Sequence, residues 1–151
     1  MYVRWMGALA CLALVGCEIE TKTRLEEVGE ASTDPHSEIA AAAQVIQLSG
    51  GRDVEHIVPP HLEIGLGEWV QFVSLDRRVH TVSFVPDSLS PDALAYLAGT
   101  GQLEGPPLLV RGSRLLVDFR NAPTGRYVFS SRSHGDPVFG SITVREISPD
   151  P

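Results

Sequence analysis

From Gln44 to Ile147 the apolar residues return at every second position, a period that fits β-strands and not helices. Leu115, Val117 and Phe119 alternate with Arg114, Asp118 and Arg120, and Ile142 and Val144 alternate with Ser141, Thr143 and Arg145. Each such strand offers one face to a core and one to water. The same pattern predicts strands over residues 44–48, 68–75, 79–85, 114–120, 126–131 and 141–147. The turns between them draw on the 14 Gly and 11 Pro of this 151-residue chain. One segment breaks the period: Ser90 is a good N-cap, Pro91 suits the first helical position, Asp92 favours the positive end and Gly99 can close a helix over 92–98. Many short antiparallel strands with one short helical insertion predict an all-β, Greek-key β-sandwich of about 105 residues, 44–148, a common size for that architecture.

The first 16 residues read differently. Arg4 gives a positive start, and residues 5–16 are uncharged, mostly apolar and too short to span a bilayer as a helix. The run ends in Leu14-Val15-Gly16-Cys17, which has the pattern of a bacterial lipobox, with two apolar residues and a small one before a cysteine. We therefore expect a lipoprotein signal peptide over 1–16, a mature chain that begins at a diacylated Cys17, and a protein held on a membrane of the cell envelope, facing periplasm or exterior. Residues 17–43 carry seven acids against Lys22 and Arg24, with a loop-like run from Ser32 to Ser37, and are expected to be a flexible acidic tether. Residues 149–151 form a short tail.

Cysteine and charge counts remove several functions. There are two cysteines; Cys11 leaves with the signal and the sulfur of Cys17 becomes a thioether, so no disulfide, zinc-thiolate knuckle or cysteine nucleophile remains. The formal charge is −7, and Arg4 is the only charge before Cys17, so the rest of the chain is more acidic still. That balance argues against a nucleic-acid grip. Ser131 with His134 and Asp136 or Asp118 has the residue types of a hydrolase triad, but lacks a Gly-x-Ser-x-Gly elbow. Gly50-Gly51 and Gly99-Thr100-Gly101 are turns without the Lys-Ser/Thr of a phosphate loop. No small-molecule substrate is evident, and the chain is not expected to be an enzyme.

The histidines carry what chemistry is left. Strand parity sets His80 on the side of Val82 and Phe84, pointing a polar ring at the apolar interior. Tyr127, Phe129 and Ser131 share a face on a later strand, and His134 follows three residues on. A core-edge histidine bonded to a backbone carbonyl is the plain alternative for His80. His56 and His61, which flank Val58-Pro59-Pro60, are expected at the surface, and nothing in their spacing requires either to join a site. Trp69 and Tyr96 are expected to serve in packing.

Taken together, Asp76-Arg-Arg-Val-His80-Thr-Val-Ser-Phe84 and Gly125-Arg-Tyr127-Val-Phe-Ser-Ser131-Arg-Ser-His134-Gly-Asp-Pro-Val138-Phe-Gly140 resemble the two halves of a plastocyanin-like cupredoxin, over residues 57–144. The resemblance implies a blue-copper sandwich with His80 and His134 as metal ligands, a cysteine at the position of Ser131 and a methionine at that of Val138, Phe139 being the other alignment. The departures fall on the ligands. A type 1 copper site depends on the copper-thiolate bond, and a serine hydroxyl cannot replace it. Two function classes follow: a lipid-anchored cupredoxin-fold module with a degenerate copper site that binds an envelope protein partner, or a copper carrier using His80 and His134, for which zinc is less suited.

Overall fold

A computed structural model describes residues 35–51 and 54–146; the expected signal peptide, Cys17, most of the expected tether and the C-terminal tail lie outside them. Among the described residues eight strands form the frame: β1 (Gln44–Gly50), β2 (Glu55–Val58), β3 (His61–Gly65), β4 (Trp69–Ser74), β5 (Thr81–Phe84), β6 (Arg114–Asp118), β7 (Gly125–Arg132) and β8 (Val138–Arg145). They divide into two four-stranded sheets, in the orders β2-β1-β4-β6 and β3-β8-β7-β5. The all-β sandwich expected from the alternation is the architecture found.

Two features depart from the sequence reading. The sheets are mixed, because β1 pairs with β4 in parallel and β3 with β8 in parallel. Alternation reports which face of a strand is buried and carries no information about its direction. β2 and β3, which flank the Val58-Pro59-Pro60 turn, were not expected as strands. β2 is only four residues long and β3 exposes or half-exposes all but Ile64, so neither shows a sustained apolar stripe.

The helical insertion is α2 (Pro91–Gly99), one residue longer at each end than expected, with the Ser90 hydroxyl accepting a hydrogen bond from the Ala93 N–H at 3.2 Å. It seals the core with Ala93 and Leu97. A further helix, α1 (Pro35–Ala42), occupies the end of the segment expected to be a flexible tether. Its Ala-rich second half, Ala40-Ala41-Ala42, favours helix at no side-chain entropy cost, which outweighs the loop-forming residues before it.

The inward faces meet in an aromatic core. Phe72 and Phe129 pack edge-to-face across the sheets with ring centroids 4.9 Å apart, and Phe119 meets Tyr127 at 5.1 Å. Gly140 is required where β8 passes this cluster: a Cβ there would lie 2.4 Å from the Phe129 ring and 2.8 Å from the Pro60 carbonyl oxygen. The Tyr127 hydroxyl donates to the Pro123 carbonyl at 2.7 Å, satisfying the one polar atom of a ring that is otherwise fully enclosed. Burial pushes the Tyr127 phenol up to about 12, with a smaller push from Tyr96.

Candidate functional site

At one pole of the sandwich the strand ends deliver a compact polar cluster. His80 stands just before β5 and bridges to Leu108 through paired backbone bonds of 3.0 and 2.8 Å. Parity then turns its ring inward with Val82 and Phe84, and it is fully buried. Ser131, near the end of β7, shares the inward face of Tyr127 and Phe129 and is fully buried as well.

The groups that meet these two side chains are carboxylates. Glu55 opens β2 and points inward on the parity of Ile57, leaving His56 and Val58 outside. Its Oε1 lies 2.8 Å from His80 Nδ1 and receives the Ser131 hydroxyl at 2.5 Å. On the other side of the ring, His80 Nε2 lies 2.9 Å from Asp76 Oδ1. Asp76 is itself held by backbone donors, the Arg78 N–H on Oδ1 at 2.8 Å and the Gly50 N–H on Oδ2.

Burial acts to raise the Asp76 pKa, but the Gly50 N–H, His80 and the Arg78 N–H together outweigh it and hold the carboxyl at about 2. Asp76 is therefore ionised near neutral pH and accepts a hydrogen bond from Nε2–H. One further proton then lies between His80 Nδ1 and Glu55 Oε1. Two lone pairs cannot face each other at 2.8 Å, so either the ring or the carboxyl carries it. Either way the three side chains share a single net negative charge. Glu55 Oε2 is buried and has no hydrogen-bond partner.

His134 is placed differently. It is exposed in the loop after β7, and the Arg78 guanidinium lies 3.2 and 3.3 Å from its two ring nitrogens, with the Ser133 hydroxyl 3.2 Å from Nδ1. Arg78 also donates to the Gly51 carbonyl. The two rings expected to share one metal thus have separate partners, carboxylates for His80 and a guanidinium for His134. Val138 is half-buried against the core, opposite Ser131 in the β7–β8 register, and Phe139 is exposed. His56 and His61 are exposed, His61 with its Nδ1 3.0 Å from the Ser141 hydroxyl. Tyr96 donates to the Asp118 carbonyl at 2.9 Å, and Trp69 is covered by the Arg120 guanidinium 4.7 Å from its ring centroid.

Sequence reading missed Glu55 and Asp76. Asp76 had a signal, since it stands four residues before His80 on the same turn. Glu55 had a fainter one, a charge on the same parity as Ile57.

The donor set does not fit a copper centre. Both nitrogens of His80 are engaged with carboxylate oxygens, the hydroxyl of Ser131 is turned to Glu55, and Val138 offers no donor. Among the described residues, no group of three or more His, Cys, Asp or Glu side chains is arranged to hold a metal ion.

No protein-family model matches the chain, and no curated protein matches it. Solved structures do. An amicyanin variant in its oxidized state superposes with a TM-score of 0.51 at 22% identity, over 72% of this chain and 88% of that one. The Cu-containing nitrite reductase from Thermus scotoductus SA-01 gives 0.50 at 23% identity, over 70% of this chain but only 23% of that longer one. A purple cupredoxin from Nitrosopumilus maritimus is similar at 23% identity, over 68% of this chain and 99% of its own, with a TM-score of 0.49. At these identities the likeness establishes architecture, and the two-sheet sandwich described above has the plastocyanin-like cupredoxin fold.

Proposed function

We propose that this protein is a lipid-anchored cupredoxin-fold module of the cell envelope that neither catalyses a reaction nor shuttles electrons, and that works by binding an envelope partner. The observation behind the reading is the engagement of His80 on both sides, by Glu55 at 2.8 Å and by Asp76 at 2.9 Å, with Ser131 in the thiolate position. Redox copper needs a thiolate and free imidazole lone pairs, and this pole supplies neither. The anchor rests on the Leu14-Val15-Gly16-Cys17 motif.

The rival, a copper carrier using His80 and His134, draws its support from the fold and from the presence of both histidines. Metal analysis decides between them: protein expressed without residues 1–16 and purified without chelator is expected to carry no stoichiometric copper or zinc and to leave micromolar Cu(II) unbound. One equivalent of copper lost on His80→Ala would overturn the reading in favour of the carrier.

A further inference from the structure

Glu55 Oε1 is the point at which the side chains of His80 and Ser131 converge, one from the start of β5 and one from the end of β7. These are two of the positions at which the resemblance places copper ligands, and they do meet at a single atom. That atom belongs to the protein. We propose that the Glu55 carboxyl is the resident occupant of the metal position, an internal group whose Oε1 engages by hydrogen bonding the two side chains that would otherwise turn lone pairs toward a cation. The proposal deepens the reading of a metal-free module and rests on the same pole of the sandwich.

Three observations carry it. First, both side chains are committed to Oε1: the Ser131 hydroxyl donates to it at 2.5 Å, and a single proton holds His80 Nδ1 against it at 2.8 Å, so neither is turned toward an open metal position. Second, Asp76 holds Nε2, so the ring cannot flip to offer its other nitrogen without giving up a charge-assisted bond. Third, Glu55 Oε2 has no partner although it is buried. The carboxyl is thus fixed through one oxygen alone, by its two partners at positions 80 and 131, and buried groups left half-satisfied are rare enough to require a reason. Serine in place of cysteine belongs to the same device, because a thiolate would have no proton with which to donate to Oε1.

The prediction is that metal uptake needs both changes. Ser131→Cys alone is expected to show no intense thiolate-to-copper band with Cu(II), whereas Ser131→Cys combined with Glu55→Ala, which vacates the position, should acquire one and bind at least tenfold more tightly than either single variant. The wild-type protein supplies an independent readout. Proton NMR should show a slowly exchanging low-field proton on the His80 Nδ1 side as well as the Nε2 side, and Glu55→Ala should remove the first and keep the second.

An equally strong band in Ser131→Cys alone, or retention of the Nδ1-side proton in Glu55→Ala, would overturn the proposal. A folded double variant, checked by its near-ultraviolet circular dichroism, that binds no copper would overturn it too. Glu55→Gln guards against misfolding, since it keeps the volume: combined with Ser131→Cys it should bind more weakly than the Ala combination, and tighter binding would count against the proposal. A metal-free wild type together with a copper-free double variant would sink this inference and leave the proposed function standing, so the two can fail separately.

Discussion

The Ser131 hydroxyl donates a hydrogen bond to Glu55 across 76 residues of sequence, at 2.5 Å and buried from solvent. The bond ties the end of β7, in one sheet, to the start of β2, in the other. A hydrogen bond to a charged group contributes about 1.5–3 kcal/mol, and removing one partner of a buried charged cluster costs more, about 3–5 kcal/mol.

Ser131→Ala should therefore lower the urea-unfolding free energy by about 2 kcal/mol, within the range for a charge-assisted bond. In a Glu55→Ala background the same change should cost much less, because the hydroxyl has lost its buried acceptor. A double-mutant cycle is expected to return a coupling of about 1–2 kcal/mol. Strict additivity would show that the two residues are not energetically joined.

Acid should act on the cluster through Asp76, whose carboxyl is held at about 2 against a usual 3.8. A folded-state value below the unfolded one adds stability that is present in full above about pH 4 and is lost as pH falls toward 2. The shift is worth about 2 kcal/mol at most, and somewhat less for a side chain with partial solvent access. Asp76→Asn should lower stability at pH 7 and flatten the decline between pH 4 and 2. Denaturant titrations at several pH values would reveal it, and a decline as steep as that of the wild type would show that another group is responsible.

Gly140→Ala tests the aromatic core. The added methyl would meet the Phe129 ring edge and the Pro60 carbonyl, neither of which is the loose end of a flexible chain. Overpacking of this kind costs about 1–3 kcal/mol. Thermal unfolding should show a lower midpoint, while Gly99→Ala, whose Cβ would meet nothing within 4 Å, should not be destabilising by a comparable clash.

The inward-facing half of the cluster could be read from the chain, and its chemistry could not. His80 shares parity with Val82 and Phe84, and Ser131 with Tyr127 and Phe129, so the period alone turned both toward the core. Glu55 was hidden for a physical reason: a charged residue at an inward position interrupts the apolar alternation by which strands are recognised, and β2 has only Ile57 left to signal a buried face. Its partners lie 25 and 76 residues away, beyond any local pattern. The parallel pairings β1–β4 and β3–β8 escaped for the complementary reason that alternation is the same in either direction.

The anchor is tested outside the described residues. The protein is expected to partition with membranes, and Cys17→Ser should release it or leave residues 1–16 attached. Two acyl chains are needed for firm attachment, since one holds a protein only marginally. A wild-type protein recovered wholly in the soluble fraction would remove the lipoprotein reading and leave the fold untouched.

The parallel pairing of β1 with β4 also gives the molecule an orientation. Gln44, where the chain enters the sandwich after α1, is paired with Val70, while Leu48, near the other end of β1, is paired with Ser74, two residues before Asp76. Six residues of strand rise place the entry point and the buried charge cluster about 20 Å apart, at opposite poles. Glu55, His80 and the Arg78–His134 contact thus share the cap of the sandwich that lies away from the entry of β1.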